Sequence, residues 1–565
     1  MTARSGPVTT VAPSPNPDGG SRKWWALVAI AASVLVVGLD LTVLTLALPT
    51  IATDLHASTG DLQWFSDAYS LVLAAAILPA GLLGDRFGRK RVLLIALTLF
   101  GFSSAACAYA TSTGELIAAR AILGIGAAAI FPLSLSVIPV LFRPEERQKA
   151  IALMTSATFL SFPIGPIVGG YLLDHFWWGS VFLINVPVVA IALTAVVFLL
   201  PESRSEQRPS VDVAGVLLSS AGLTGLTYGF IKVGENGWSN AAALATIGAG
   251  VVLLLGFVAW ERRLTRRVAG RLAPSAEQAA AGGSRLRPLI ELGLFRSVSF
   301  TWGTILTTLI SFALFGLFFA MPQYFQEVRG VNAMGSGLRL LPMIGGMVIG
   351  MISSTRLASP RKRADGGVAA PLATAKALVA IGFAIMAIGL VAGATTSTSS
   401  GTAFAAAWFG AAGLGLGLAM PQAMNAALSA LSAERSGSGS ALISATRQVG
   451  ATIGVAVLGT VLGSVYSSHL NVTGLPAAVA AEARSSVVAG VAVARALHSA
   501  ARLDSARSAF VVGMDTMLWA CAAIAAVSAI LALIFLPRRA DGLKADGTGL
   551  TAAGEGDPEP AEVDV

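Results

Sequence analysis

The chain is 565 residues long, 55% hydrophobic and 12% charged, where a typical soluble domain carries about 25% charged residues. Its net charge is +8 and its mean hydropathy +0.74. These figures exclude a disordered chain, a coiled coil and an ordinary soluble enzyme. The basic residues lie in short runs between apolar blocks, which is the pattern of membrane topology rather than of nucleic-acid binding. The two cysteines, Cys107 and Cys521, sit inside apolar stretches and provide neither a metal spacing nor a disulfide framework.

Residues 1–23 are rich in Pro, Ser, Thr and Gly and read as a disordered tail. The apolar run that follows is too long for a cleaved leader and reads as a retained first span. A helix needs about 20 apolar residues to cross the hydrocarbon. By that measure the sequence predicts fourteen spans, the first six over 24–48, 62–83, 91–110, 115–138, 149–173 and 180–200. Two more follow at 213–233 and 241–260, and the last six at 298–322, 336–356, 372–393, 402–424, 440–466 and 509–536. An even count puts both termini on one side. One set of loops carries Arg86 to Arg91, then Arg143, Arg147 and Lys149, Arg204 and Arg208, the arginines of 261–297, and Arg361 to Arg363. The alternate loops 50–61, 111–114 and 395–401 hold no Lys or Arg. The bias places both termini in the cytoplasm. The basic stretch 261–297 reads as a cytoplasmic linker and 467–508 as an external segment, either lying along the interface or serving as a solvated connector. Residues 538–565 read as a second disordered tail.

Several motifs stand inside this frame. Asp40 lies within the first span, before Pro49. A carboxylate in hydrocarbon is expensive and functional by default; it either exchanges a proton as water access alternates or serves as a structural hydrogen-bonding group near the helix end. After the second span comes Gly81-Leu82-Leu83-Gly84-Asp85-Arg86-Phe87-Gly88-Arg89-Lys90-Arg91. The fourth span holds Arg120, Gly124 and Gly126, and Arg120 needs a counter-charge or carbonyls inside the bundle; Asp40 is the natural candidate, the alternative being a fixed structural charge. The fifth span contains Pro163, Gly165, Pro166, Gly169 and Gly170, in which proline bends the helix and glycine admits a neighbour, forming a hinge or a packing seam. Phe182, Asn185 and Pro187 open the sixth span.

The loop 81–91 resembles the signature between spans two and three of the major facilitator superfamily. The span count narrows the resemblance to the fourteen-span drug:proton antiporter family of the EmrB/QacA group, over residues 24–537. The stretch from Leu39 to Pro49 resembles that family's first-helix motif, with Thr45 where an Asn is common. Arg120, Gly124 and Gly126 resemble its Arg-x-x-x-Gly-x-Gly motif, with Leu123 in place of a frequent Gln. Gly165 to Gly170 resemble the antiporter signature, and Phe182-Leu183-Ile184-Asn185-Val186-Pro187 the family's sixth-span motif, although Trp178-Gly179-Ser180 departs from the residues that usually precede it. Pro322 to Gly330, Gly337 to Pro342 and Arg447 to Gly454 also look like family patterns.

The resemblance implies an all-α polytopic membrane protein of the major facilitator fold. Two six-helix bundles (24–200 and 298–537) would flank two inserted helices within 201–260, and the cytoplasmic run Thr355 to Arg363 reads as a degraded echo of loop 81–91. It implies proton-coupled export of amphipathic drugs, antibiotics, dyes or biocides across a bacterial cytoplasmic membrane, with Asp40 exchanging the proton and Arg120 modulating it. Gly81, Gly84, Asp85, Arg86, Gly88, Arg89, Lys90, Gly165, Pro166, Gly169 and Gly170 would serve the conformational step. Asp67, Gln323, Gln326, Glu327, Gln448 and Asp515 are candidates for the cavity or the substrate, or pack at helix ends and headgroups. The expected partners are the substrate, protons and membrane lipids, with no nucleic acid and with a monomer sufficient. No cofactor is expected: Gly84 to Lys90 lacks the ending of a phosphate loop, and His56, His175, His469 and His498 are scattered, with no metal site. The alternatives are an exporter of one endogenous metabolite, a proton-coupled importer and a membrane receptor that transports nothing.

Overall fold

The computed structural model describes residues 22–142, 144–202, 212–270, 292–359, 361–362, 368–369, 373–429 and 436–537. The expected tails, most of the linker 261–297, and Arg143, Arg204, Arg208 and Arg363 lie outside the described residues.

Helices dominate because no water is available in hydrocarbon to satisfy a backbone that does not satisfy itself. The first group comprises α1 (Arg22–Asp54), α2 (Thr59–Phe87), α3 (Arg89–Ala108), α4 (Thr113–Leu141), α5 (Pro144–His175), α6 (Ser180–Leu183) and α7 (Asn185–Leu199). A pair follows, α8 (Val213–Asn236) and α9 (Ala241–Gly270). The second group comprises α10 (Val298–Gln323), α11 (Ala333–Ala358), α12 (Ala375–Gly393), α13 (Thr402–Leu428), α14 (Ser436–His469), α15 (Ala477–Ser485), α16 (Val487–Ala496) and α17 (Ala500–Phe535). Twelve helices among the described residues are long and apolar enough to cross a membrane. Helices α2 and α5, 29 and 32 residues long, occupy the other two predicted positions.

Local chemistry sets many of the ends. Ser58 caps α2 reciprocally with Asp61, each side chain accepting from the other's backbone N–H. Ser112, Ser297, Asn332, Thr374 and Ser499 cap α4, α10, α11, α12 and α17. Gly88 joins α2 to α3 with φ +107°, a conformation side chains with a Cβ resist.

Four boundaries differ from the sequence reading. Helix α9 runs through Glu261 and the following arginines to Gly270 rather than stopping at 260, because long basic side chains can continue a helix beyond the apolar layer. The sixth span is split at Ile184 into α6 and α7, and Pro187 lies in the first turn of α7, where no N–H is required. The ninth span continues past Pro322 as a π-helical turn, Tyr324–Val328. Finally, 467–508, read as an interfacial segment or a solvated connector, is helical over most of its length. It folds into α15, α16 and the start of α17, with Val487, Val488 and Val491 buried against the protein. A two-residue antiparallel pairing, Arg361–Lys362 with Val368–Ala369, is a small departure from an all-helical chain.

The two groups pack by the same rule. Helix α1 lies against α5 and α7, α4 against α2 and α3, and α3 against α7. Correspondingly, α10 lies against α14 and α17, α13 against α11 and α12, and α12 against α17. The groups meet through α2 with α14 and through α5 with α11, and α8 leans on both α2 and α14. Among the described residues, the hydrogen bonds between the halves cluster at one end. Gln63 Nε2 donates to Ala456 O (3.3 Å), Gln326 Nε2 to Leu46 O (2.9 Å), Thr59 Oγ1 to Ser485 O (2.6 Å) and Asn332 Nδ2 to Asp174 Oδ2 (2.5 Å). A Cβ on Gly337 would lie 2.3 Å from Pro166 O, and one on Gly170 2.7 Å from Met334 Cα, so backbone meets backbone across this seam.

Close packing of this kind is testable within one bundle. A Cβ on Gly413 would stand 2.0 Å from Met343 O, whereas one on Gly345 meets nothing within 4 Å. Gly413→Ala should destabilise the detergent-solubilised protein by about 1–3 kcal/mol and Gly345→Ala should not, as read by thermal unfolding of each variant.

Candidate functional site

A buried polar cluster in the first bundle is assembled by six helices, α1, α2, α3, α4, α6 and α7. Helix α4 comes close to α2 because residue 124 is glycine: a Cβ there would lie 2.6 Å from Tyr69 O. One turn earlier on α4, Arg120 therefore projects into the bundle, where it is fully buried. Its Nη1 pairs with Oδ2 of Asp40 on α1, itself 2% exposed. Its Nε donates to Phe65 O at 2.9 Å. Its guanidinium carbon lies 4.6 Å from the centre of the Tyr69 ring and 5.9 Å from that of Phe182, both in cation–π range.

The second oxygen of Asp40 faces α7. Asn185 Nδ2 donates to Asp40 Oδ1 at 3.4 Å and to Ser104 Oγ at 2.9 Å, and Ser104 Oγ donates to Phe182 O at 2.9 Å. Asn185 and Ser104 are fully buried. Three polar atoms here have no hydrogen-bond partner: Arg120 Nη2, Asn185 Oδ1 and the Tyr69 hydroxyl. A carboxylate and a guanidinium in hydrocarbon are tolerated because each supplies the other's charge. Arg120 also keeps a carbonyl and two ring faces that do not depend on Asp40.

The structure thus brings Asp40 and Arg120 together. The other candidates lie elsewhere. Asp67, on α2, is fully buried, and neither carboxylate oxygen has a hydrogen-bond partner. Gln323 Nε2 turns back on its own helix to Phe319 O (2.9 Å), whereas Gln326 spans the halves. Glu327 O accepts from Arg507 Nε at 3.2 Å. Gln448 Nε2 and Asp515 Oδ1 are buried without a partner.

The glycine-rich motifs pack helices. Cβ atoms on Gly165 and Gly169 would strike Thr42 and Val43 of α1, and Gly170 and Pro166 form the seam with α11. A Cβ on Gly84 would strike Leu133 of α4, while Gly81 has open space around it. The side chains of Asp85 and Pro163 lie outside the described residues. Arg86 lies over the Phe87 ring at 5.4 Å. Arg89 Nη1 donates to Ser136 O (3.1 Å) and Lys90 Nζ to Val197 O (2.8 Å), while Arg91 Nε stands 3.6 Å from Glu202. This loop therefore ties α2 and α3 to α4 and to the end of α7.

Sequence reasoning missed four participants. Tyr69, Ser104 and Glu202 carry no motif. Asn185 carried one, and its place beside Asp40 emerges only when α7 packs on α1 and α3. The ion pair makes a stability prediction. Arg120→Gln leaves Asp40 buried without its counter-charge, so it should cost about 3–5 kcal/mol, and Asp40→Asn in the same chain should recover most of that loss. Unfolding midpoints of both single variants and the double variant in detergent would check this.

Residues 30–455 match the family model described as Major Facilitator Superfamily. The chain is 34% identical to the tetracenomycin C resistance and export protein of Streptomyces glaucescens, over 72% of this chain and 70% of that one. It is 35% identical to the multidrug efflux pump LfrA of Mycolicibacterium smegmatis, over 64% of this chain and 67% of that one. Among solved structures, a bacterial homolog of the human lysosomal transporter Spinster superposes with a TM-score of 0.62 at 16% identity, covering 91% of this chain and 97% of that one. The chain belongs to the Major Facilitator Superfamily, as a multi-pass membrane transporter and not an enzyme.

Proposed function

We propose that this protein exports amphipathic drugs, antibiotics, dyes or biocides from a bacterial cell in exchange for protons. The observation that carries the reading is Asp40, a carboxylate sealed inside the first bundle and matched by one guanidinium. Arg120 retains Phe65 O and two aromatic faces when Asp40 becomes neutral, so the site can lose its negative charge without stranding its positive one. The relatives named for tetracenomycin C export and for multidrug efflux support outward movement of antibiotics and drugs.

The reading takes α2 and α5 as spans with the twelve, fourteen in all, and both termini as cytoplasmic by the positive-inside rule. The end at which the hydrogen bonds between the halves cluster is then external, and the state described is closed on that side. Rocking of the two bundles would break the seam between Asp174 and Asn332 and expose the cavity outward. Asp40 exchanges the proton, Arg120 modulates it, and Gly165, Pro166, Gly169 and Gly170 serve the conformational step together with the loop Gly81 to Lys90. Asp67, Glu327 and Asp515 are further carboxylates for the cavity, and Gln323, Gln326 and Gln448 further polar groups. A monomer in the cytoplasmic membrane suffices. The tetracenomycin relative favours a second, narrower reading, export of a single metabolite.

Ethidium efflux from energised cells should separate these. The wild type should extrude ethidium, and extrusion should fall at least about tenfold in Asp40→Asn and in wild-type cells given a protonophore. No efflux by a correctly inserted wild type would favour the narrow exporter. Protonophore-sensitive efflux that survives in Asp40→Asn would move the proton to another carboxylate, Asp67 first.

A further inference from the structure

Asn185 sits where it touches Asp40 and nothing charged besides. It opens α7, immediately after the break at Ile184, and its amide is fully buried. Both hydrogen bonds it makes use the same atom. Nδ2 donates one hydrogen to Asp40 Oδ1 (3.4 Å) and one to Ser104 Oγ (2.9 Å). Its carbonyl oxygen is buried and has no partner. Leaving a buried acceptor unused is unfavourable, and an amide can exchange donor and acceptor by a half turn about its last torsion.

We infer that Asn185 is a positioning residue for the proton site, an amide that donates to Asp40 when the carboxyl is ionised and turns to accept from it when the carboxyl is protonated. This rests on the reading of Asp40 as the proton-exchanging group. In the ionised state Asp40 Oδ2 pairs with Arg120, and Oδ1 takes a hydrogen from Asn185. When a proton from water reaches Oδ1, the new hydroxyl needs an acceptor. A half turn brings Asn185 Oδ1 to that place, and the Ser104 hydroxyl, now on Phe182 O at 2.9 Å, can rotate to donate to the same oxygen. No bond other than the carboxyl O–H forms, and the proton comes from and returns to solvent.

The surroundings leave this task to Asn185. The titratable or charged groups that face Asp40 from neighbouring helices are Arg120 on α4, Tyr69 on α2 and Cys107 on α3. Arg120 only donates. Cys107 is a weak partner; the Tyr69 ring is engaged by the guanidinium, and its hydroxyl makes no hydrogen bond to Asp40. Helices α6, α7 and α10 contain no ionisable side chain, and α5 between residues 150 and 173 has only Tyr171. On α11, Arg339 Nη1 is bound to Gly335 O at 3.0 Å. A neutral Asp40 therefore has one amide within reach that can change its role.

Infrared difference spectra of purified full-length protein, taken across a pH titration, read the carboxyl directly. The wild type should show a protonated-carboxyl C=O band, absent in Asp40→Asn, at the position of a hydrogen-bonded acid. In Asn185→Leu, which keeps the shape and loses both roles, the band should move to higher wavenumber, and the pH profile of ethidium transport in proteoliposomes should shift by at least about one unit. In Asn185→Thr, whose hydroxyl can both donate and accept, band and profile should return toward the wild type. An unmoved band and a superimposable profile in Asn185→Leu, with only the amount of folded protein changed, would overturn the inference and leave the Asp40 reading intact. Spectra of Asp40→Asn that lose no carboxyl band relative to the wild type would overturn both.

Discussion

A guanidinium and an ionised carboxylate buried in hydrocarbon constrain everything around them, because each is costly there without compensating partners. Arg120 and Asp40 must meet, so α4 and α1 must both reach the bundle interior at one level. Gly124 lets α4 approach α2 closely enough for this. The approach also brings Phe65 O and the Tyr69 ring to the cation. The break between α6 and α7 then delivers Asn185 to the far side of the carboxylate. The site is thus a consequence of helix packing as much as of the residues that form it.

The halves repeat one packing scheme, yet their contacts are unequal from end to end. At one end, glycine and proline bring backbones together through Gly337 and Pro166, and polar side chains bridge the remaining gaps. The links are individually modest hydrogen bonds, and most involve a main-chain carbonyl. Such a seam can open without stranding a charge, because water can satisfy each exposed carbonyl as it separates. The ion pairs seen among the described residues, by contrast, lie within the first bundle. Lys23 bonds Glu146 at 2.7 Å inside the first half, and Arg91 faces Glu202 there too. Among the described residues, ion pairs strengthen the first bundle and hydrogen bonds link the two bundles, a distribution suited to rigid-body rocking.

Much of this was legible in the sequence, for physical reasons. Apolar blocks of membrane length identify helices because the bilayer leaves the backbone few other choices, and twelve of the fourteen predicted positions hold spans long and apolar enough to cross a membrane, the sixth broken at Ile184. Asp40 and Arg120 were visible because charge in hydrocarbon is rare. What stayed hidden depended on tertiary packing. Nothing in the composition of 467–508 revealed that Val487, Val488 and Val491 bury themselves against the bundle, since an Ala- and Val-rich amphipathic helix suits a membrane surface equally well. Helix α9 outran its predicted end because hydropathy reports where hydrocarbon stops, not where a helix does. Ser104 and Tyr69 were invisible because hydroxyl-bearing residues are common in such helices and only contact distinguishes them. Gln323, read as a cavity residue or as packing at a helix end, turns its amide to Phe319 O of its own helix, a contact that no sequence pattern reveals.

One helix links the buried ion pair to the seam. Asp40, Thr42 and Leu46 lie within two turns of α1. Asp40 faces Arg120 and Asn185. Thr42 and Val43 take the close approach of α5 at Gly165 and Gly169, and Leu46 O receives Gln326 from the opposite half. A helix transmits displacement along its axis with little compliance over two turns. Neutralising Asp40 removes the Coulombic pull that draws α1 toward α4, and any shift or rotation that follows is felt at once by α5, which carries Pro166 and Gly170 into the seam, and by the Gln326 bond. Coupling over this short distance needs no relay of side chains. It requires only that the group that changes charge and the groups that hold the halves together share one rigid element, and α1 is that element.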